Sequence, residues 1–415
     1  TYNKPIELEK NYYDLDLVID VFTNQLENKV KAVGVNHYIE NNDISWEVTI
    51  WNNHAMHALL GHMYLTQGDL LKAEHHFSEI IYNSTENNRY QLDNSFAYFN
   101  WRNIFDNIDN REHIYTIWFN KSNFQQNEFQ SMFENWSPHH YMLKPSKPAI
   151  FTWETVWRGQ LIDDSHDNPA EHEMARAGFP SDFYRGFGSS YMYLKGGAAL
   201  TGQEYMEMLS LKAREDTRSA NVIMENVDTV VYKYSINKGR FDQDANYIVY
   251  RAGGIHLYMA ELYVYWVTER NGLIRTFTNN ALKIVNDGSH YDISVTREQM
   301  GVRGRVGLGS ENDGIKIANI MYIHDPFTNE IIDYLNLEGN LDEKQRILEE
   351  EILKERAREL AYEGERFYDL MRIAKRRNDP SFLAERVASK YPEHMRDQIY
   401  NHLLDENNWY INYFD

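Results

Sequence analysis

The sequence predicts a mainly α-helical fold, because apolar residues recur at helical spacing in several separate stretches. From Leu15 to Val33, apolar residues share one stripe while charged residues occupy the other faces. A second series, around the run Glu355–Arg372, recurs at steps of four and three: Leu353, Ala357, Leu360, Gly364, Phe367, Met371 and Ala374. We expect one helix there, whose apolar seam faces a neighbouring helix. The glycine within the seam suggests a close approach of another backbone.

The same run carries a charged series on another face of the predicted helix. Glu363, Arg366, Asp369 and Arg372 alternate in sign at three-residue spacing. Side chains at this spacing on one helix can form pairs. We therefore expect a solvated ladder of salt bridges along the helix surface.

The segment His54–Asn83 predicts two helices joined by a turn at Gly68-Asp69. The spacing of its small and aromatic residues resembles that of a tetratricopeptide repeat, in which paired helices approach closely: Leu60, Gly61, Tyr64, Ala73 and Phe77. One repeat cannot stand alone, so we expect further helices as partners. The candidates are the Leu15 helix, the Gly364 helix, and a pair formed by Tyr250–Asn271 and Leu273–Asn286.

The pattern changes from Asn87 onward. Glu112–Trp118 alternates in a way that predicts a strand, and Asn135–Gly202 interleaves prolines and glycines with aromatic residues without a regular period. We predict one domain of 415 residues with three parts. These are tetratricopeptide-like helices over 1–86, an irregular aromatic-rich subdomain over 87–245, and C-terminal helices over 246–415.

Composition excludes several classes of protein. The formal net charge is −20, whereas nucleic-acid binders need a basic face, so the sequence argues against a nucleic-acid partner. No cysteine is present, which excludes disulfides and thiolate metal sites within these residues. The longest weakly charged apolar stretch, Gly253–Trp266, is too short to span a membrane and predicts a buried helix. The first residues lack the basic start and apolar core of a signal peptide.

Neither the carboxylates nor the histidines form a motif that would carry chemistry. Acidic neighbours such as Asp163-Asp164 occur in turn-like contexts, where acidic residues are common. His54, His57 and His62 lie near one helical face, yet no carboxylate stands at the spacing of a zinc protease. The sequence therefore predicts a protein that is not an enzyme and has no cofactor. Structural calcium in an acidic loop is left open.

Several short phrases in the chain resemble the SusD/RagB family. Glu355–Arg372 contains Glu-Arg, Glu-Leu, Glu-Gly-x-Arg and Asp-Leu-x-Arg in the order of the C-terminal signature of that family. Other landmarks of the family have counterparts in the same order along the chain: Trp101–Phe105, Glu112–Trp118, Arg214–Arg218, Tyr232–Tyr234, Arg251–Glu261 and Val302–Gly307. The resemblance covers most of the chain and implies a SusD-like fold.

The resemblance also implies a function. Family members are cell-surface lipoproteins that lie on a SusC-like TonB-dependent outer-membrane barrel, act as its lid and capture glycans or peptides as nutrients. They begin with a signal peptide, a lipidated cysteine and further helices, so we expect the N-terminal part of the family domain to be missing here. The alternative is a SusD-like interaction subunit of an outer-membrane assembly or secretion complex built on another barrel.

Aromatic residues in the irregular middle of the chain are the candidate binding residues. Aromatic rings in loops can stack on sugars or anchor a peptide or a partner protein, and a rigid scaffold often carries its binding site on loops. Their alternative role is to pack the loops onto the helices. The candidates for ligand or partner contact are Trp136, Trp153, Trp157, Tyr184 and Phe187.

Overall fold

A computed structural model describes the larger part of the chain. The described residues are 14–33, 44–81, 90, 92, 98–106, 110–119, 122, 124–125, 130–133, 141–155, 182, 184–236, 245–270, 273–276, 281, 284–285, 301–306, 322–324, 331–333 and 341–410. Of the five candidate aromatic residues, Trp136 and Trp157 lie outside these ranges. The same holds for the acidic residues Asp163 and Asp164.

Helices dominate the described residues, which confirms the predicted mainly α fold. They are α1 (Leu15–Val30), α2 (Asn53–Gln67), α3 (Leu70–Ile81), α4 (Tyr98–Asp106), α5 (Lys147–Glu154), α6 (Gly202–Ala213), α7 (Thr217–Ile223), α8 (Ala252–Tyr265), α9 (Leu341–Glu359), α10 (Arg366–Arg377), α11 (Pro380–Ala388) and α12 (Glu393–Leu403). None of these helices combines the length and apolar character that are required to cross a membrane.

The described strands form small antiparallel sheets. They are β1 (His113–Phe119), β2 (Tyr191–Lys195), β3 (Ala198–Ala199), β4 (Val227–Val231), β5 (Ala245–Arg251), β6 (Val267–Arg270), β7 (Leu273–Thr276), β8 (Tyr322–His324) and β9 (Ile331–Asp333). β1 pairs with β5, β2 lies between β3 and β4, and two hairpins join β6 to β7 and β8 to β9. The strand predicted at Glu112–Trp118 is confirmed as β1.

Helices α2 and α3 form the predicted helical pair. The side chain of Asn52 caps α2 by accepting a hydrogen bond from the Ala55 backbone N–H at 2.9 Å. Gly68 ends α2 with φ +84°, a left-handed conformation that glycine adopts without strain. The two helices approach so closely that a Cβ on Gly61 would lie 2.5 Å from the ring of Phe77. The small residue Gly61 and the aromatic residue Phe77 therefore allow the close approach of two helices that their spacing predicted.

This close approach makes Gly61→Ala destabilising. Because the Phe77 ring is fully buried, it cannot move aside, and we expect a loss of about 1–3 kcal/mol in the free energy of unfolding. Urea unfolding followed by circular dichroism measures the loss. The matched control is Gly202→Ala at the start of α6, where an added Cβ meets nothing within 4 Å. Equal stability of Gly61→Ala and wild type would contradict the close approach.

The predicted helical pair Tyr250–Asn271 and Leu273–Asn286 is wrong in part. The first helix, α8, spans only Ala252–Tyr265, and the residues after it form the β6–β7 hairpin, in which Arg270 pairs with Leu273. These strands contain β-branched residues on either side of an Asn-Gly dipeptide, a combination that favours a two-residue hairpin. Local turn chemistry thus outweighs the helical periodicity.

The helix predicted through Gly364 is interrupted. α9 ends at Glu359 and α10 begins at Arg366, and Tyr362 and Gly364 between them adopt positive φ angles of 65° and 89°. Apolar residues keep helical spacing across the break, so the sequence pattern alone does not reveal it. Gly364 adopts the left-handed conformation that the turn between α9 and α10 requires. The expectation that it lies within a continuous helical seam is wrong.

Helix α8 lies at the centre of the main hydrophobic core. Every residue from Ala252 to Val264 is buried, and the helix packs against α3, α2 and α9. The core joins the first and last predicted parts of the chain. A second core lies between α5, α6 and the β2 strand. The proposed boundaries at 86 and 245 remain a prediction.

Candidate functional site

Most of the sequence landmarks meet in a buried cluster of charged side chains centred on Glu359. The Glu359 carboxylate accepts hydrogen bonds from Arg251 Nη1 at 2.7 Å and from Arg185 Nη1 at 2.8 Å. It also contacts Arg305, which in turn pairs with Glu112. All five side chains are buried. We call this group and its direct partners the buried charge cluster.

The cluster extends to Glu363 in the turn between α9 and α10. Arg251 binds the Glu363 carboxylate through two parallel bonds, Nε to Oε2 at 2.8 Å and Nη2 to Oε1 at 2.9 Å. This fork geometry is the strongest form of arginine–carboxylate pairing. Lys233 Nζ donates to Glu363 Oε1 at 2.5 Å and lies 4.1 Å from the ring centroid of Phe105. Elements far apart in sequence are therefore held by one set of charges.

A neighbouring group of charges fixes α10 against α8. Glu261 of α8 accepts hydrogen bonds from Arg372 Nε at 2.8 Å and Nη2 at 2.6 Å, and Arg372 also pairs with Asp369 at 2.8 Å. Arg356 of α9 completes the group by pairing with Asp369 at 2.7 Å. The predicted solvated ladder is wrong, because Glu363, Asp369 and Arg372 are buried and most of their partners lie on other elements. Its fourth member, Arg366, is partly buried and donates to the Leu353 carbonyl.

The cluster lowers the pKa of the Glu359 and Glu355 carboxyl groups and so holds them ionised. Burial alone would raise the pKa of the Glu359 carboxyl, but the charges of Arg305, Arg251 and Arg185 bring it well below its ordinary value. Burial would likewise raise the pKa of the Glu355 carboxyl. The charges of Arg185 and Arg358 outweigh burial and lower this pKa to about 2. These groups cannot exchange a proton near neutral pH. The cluster is therefore suited to hold the fold together, and not to acid–base catalysis.

The candidate aromatic residues do not form an exposed site in this structure. Trp153 is fully buried and Phe187 is 4% exposed, and both belong to the second hydrophobic core. The Phe187 ring stacks on Tyr205 with 4.1 Å between centroids. The expectation that Trp153 and Phe187 offer exposed rings for stacking is therefore wrong. Their rings pack in the second hydrophobic core, next to β2. Tyr184 is partly buried, and Trp136 and Trp157 lie outside the described residues.

A different set of mostly aromatic side chains, partly or largely exposed to solvent, lies along the β1–β5 ribbon. Trp51 is 43% exposed and stacks on Tyr115 with 4.1 Å between ring centroids. Ile117 is also exposed and pairs with Tyr247 across the ribbon. We call Trp51, Tyr115, Ile117, Tyr247 and Tyr368 the outer aromatic face.

Tyr247 connects the ribbon to the start of α10. Its hydroxyl donates to the Glu363 carbonyl at 3.4 Å, and an added Cβ on Gly364 would lie 3.1 Å from the same hydroxyl. Burial raises the pKa of Tyr247, with smaller contributions from Glu365, Glu363 and Tyr368. Tyr368 itself is 57% exposed. The face therefore runs from Trp51 across the ribbon to Tyr368.

Beside this face is a small pocket of about 10 Å³ with polar groups in its wall. Tyr250, Tyr258 and Glu365 contribute to the wall, together with the apolar side chains of Val249 and Leu360. Tyr258 Oη donates to Glu365 Oε2 at 2.6 Å. A space of this size holds about one water-sized group.

Sequence reasoning missed the outer aromatic face, although one signal was available. Tyr115 and Ile117 alternate with the buried Thr116 in the predicted strand, and residues that alternate in this way share one side of a strand. Trp51 stands alone immediately before Asn52, the residue that caps α2. Nothing in the sequence indicates that the Trp51 ring stacks on the ribbon.

The histidines of α2 and α3 form a hydrogen-bonded chain. His57 Nδ1 lies 2.8 Å from His76 Nδ1, and His76 Nε2 lies 3.1 Å from Glu27 of α1. Tyr64 Oη also donates to Glu27, at 2.8 Å. The described residues contain no group of three or more histidine or acidic side chains that could hold a metal ion. The histidine chain instead links three helices.

The fold and these sites define a class of protein: a mainly helical scaffold held by buried charges, with aromatic side chains exposed on its surface. Comparison with known families is specific. The sequence model of the SusD family matches residues 21–415, and the chain belongs to this family. In this chain, the landmarks matched to the family in the sequence analysis contribute Glu112, Arg251, Arg305 and Glu359 to the buried charge cluster.

Solved structures of SusD-like proteins resemble this fold at low sequence identity. A SusD superfamily protein from Bacteroides vulgatus shares 15% identity over 91% of this chain and 60% of its own, with a TM-score of 0.50. A superfamily protein from Bacteroides thetaiotaomicron shares 17% over 94% and 66%, with a TM-score of 0.49. A SusD-like carbohydrate-binding protein from Bacteroides fragilis shares 14% over 88% and 59%, also at 0.49.

The chain thus spans about three fifths of the length of these solved relatives. Among curated proteins, none matches it.

Proposed function

We propose that this chain is part of a non-catalytic surface lipoprotein that captures glycans for import. The observation that carries the proposal is membership of the SusD family over residues 21–415. A SusD-like relative from Bacteroides fragilis is described as carbohydrate binding, which supports a glycan as ligand. The outer aromatic face offers a surface of the chemistry that such a ligand needs.

In this proposal the protein lies on a SusC-like TonB-dependent barrel in the outer membrane and acts as its lid. A lipidated cysteine in a preceding segment would anchor the protein at the cell surface. Binding is non-covalent, with affinity from stacking and polar contacts, and the barrel supplies the transport work. No cofactor takes part, and a peptide is the other ligand class for the same surface.

Titration calorimetry combined with product analysis tests the capture function. We expect the purified protein to bind at least one neutral polysaccharide from a panel of laminarin, soluble starch and mannan. We also expect the polysaccharide to be recovered uncleaved after prolonged incubation. Release of shorter sugars would make the protein a hydrolase, and the absence of binding across the panel would contradict glycan capture.

A second candidate function is favoured by one surface feature. Leu17, Val21 and Phe22 of α1 are each nearly half exposed, and they form an apolar stripe on one side of the helix. Such a stripe suits contact with another protein. On this second proposal the chain is a SusD-like interaction subunit of an outer-membrane assembly or secretion complex, built on a barrel other than an importer.

A further inference from the structure

We propose that the outer aromatic face, together with Glu365 beside it, is a binding site for neutral oligosaccharides. The inference rests on the glycan-capture function proposed above and assigns it to particular residues. It moves the site away from the irregular middle of the chain to the β1–β5 ribbon and the start of α10.

The two ends of the face offer open aromatic rings. Trp51 is 43% exposed, and its stack on Tyr115 holds the ring in a fixed orientation. At the other end Tyr368 is 57% exposed. A ring that is held in place loses little conformational freedom when a ligand binds, which favours affinity. The flat C–H side of a pyranose ring can stack on an exposed aromatic ring, so Trp51 and Tyr368 offer two stacking positions for a chain of sugars.

Polar groups next to the rings can recognise sugar hydroxyls. Glu365 precedes Tyr368 by three residues at the start of α10, so the two side chains lie on neighbouring positions of one helix face. Glu365 Oε2 accepts bonds from Tyr258 Oη at 2.6 Å and Arg356 Nη2 at 3.4 Å. Its second oxygen, Oε1, accepts no hydrogen bond from the described residues and can accept one from a hydroxyl.

The pocket beside the face limits what can enter. Its volume of about 10 Å³ accommodates one hydroxyl-sized group next to Tyr250 and Glu365. A large apolar side chain of a protein partner does not fit. A sugar hydroxyl does, and it would find a carboxylate acceptor there.

Charge selects neutral sugars over acidic ones. The formal net charge of the chain is −20, and Glu365 adds a carboxylate at the face itself. Uronic or sulfated glycans would be repelled by this field. The structure therefore favours a neutral oligosaccharide.

The test compares three variants in calorimetric titrations with laminarin and with soluble starch oligosaccharides. Trp51→Ala and Tyr368→Ala each remove an exposed ring, and we expect each to weaken binding about two- to tenfold. Phe151→Ala is the matched control, since Phe151 is 65% exposed on α5, outside the face. It should bind as wild type does. Oligogalacturonate, an acidic probe, should bind at least tenfold more weakly than the neutral probe.

The possible outcomes distinguish failure of the proposed binding site from failure of the proposed glycan-capture function. If wild type binds a neutral glycan and both face variants bind it equally well, the site is overturned while glycan capture stands. If wild type binds none of the neutral probes, the capture function fails and the site fails with it. Hydroxyl-radical footprinting provides a second readout that does not depend on variants. Protection of Trp51 and Tyr368 by the bound glycan supports the site, and unchanged oxidation of both contradicts it.

Discussion

Replacing Glu359 with alanine is expected to lower the free energy of unfolding by about 3–5 kcal/mol, because it leaves buried arginines without their shared carboxylate. Arg185, Arg251 and Arg305 all contact Glu359 inside the protein. Domains of ordinary stability unfold with about 5–15 kcal/mol, so the variant should be close to unfolded. Urea unfolding at pH 7 followed by circular dichroism measures the change.

The matched control for this prediction lies on the same helix. Glu351 of α9 pairs with Lys354 at 2.6 Å, but both side chains are partly or largely exposed to solvent. Exposed pairs of this kind contribute at most about 1 kcal/mol, so Glu351→Ala should be nearly as stable as wild type. If Glu359→Ala also lost less than about 1 kcal/mol, the buried charge cluster would not be what holds the scaffold.

Acidification from pH 7 to pH 5 is expected to destabilise the protein by about 2 kcal/mol for each of two histidines, His57 and His62. Burial, with His76 as the next cause, lowers the pKa of His57 from 6.5 to about 3. Burial, followed by Arg372 and Arg356, lowers the pKa of His62 to about 3 as well. The unfolded chain binds protons below about pH 6.5 and the folded chain does not. Stability is therefore complete above that pH and falls as the pH decreases towards 3.

Variants separate the histidines from other titrating groups. His57→Gln and His62→Gln cannot titrate, so each should reduce the loss of stability between pH 7 and pH 5 by about 2 kcal/mol, whatever its stability at pH 7. The matched control substitution is His394→Gln, at an exposed position of α12. Glu365, whose pKa is raised by burial, acts in the opposite direction, which makes the comparison of slopes necessary. Equal slopes in wild type and both variants would contradict the prediction.

The sequence predicted elements whose signals are local. The α2–α3 pair followed from small and aromatic residues at fixed spacing, and β1 followed from alternation. The interruption at Gly364 could not be seen, because apolar residues keep helical spacing on both sides of it. The pairing of β6 with β7 was not predicted, although the Asn-Gly dipeptide between them in the sequence favours a hairpin.

Burial was the property that the sequence could not supply. The charged residues at three-residue spacing around Asp369 predicted salt bridges on the surface. In the structure Asp369 and Arg372 are buried, and Arg372 pairs with Glu261 of α8. The sequence predicted Trp153 and Phe187 as candidate binding residues in loops, but both are buried in a hydrophobic core. In both cases the tertiary neighbours, and not the local pattern, decide whether a side chain meets solvent. Trp51 was missed for the converse reason, since its stacking partner is distant in sequence.

Gentle detergent extraction from native outer membranes tests the proposed role most directly. The protein would be isolated through an affinity tag, and the co-purifying chains would be identified and quantified by mass spectrometry. The importer role predicts a TonB-dependent barrel in equimolar amount. A different barrel accompanied by several other lipoproteins would contradict that role and would make the protein a subunit of an assembly or secretion complex.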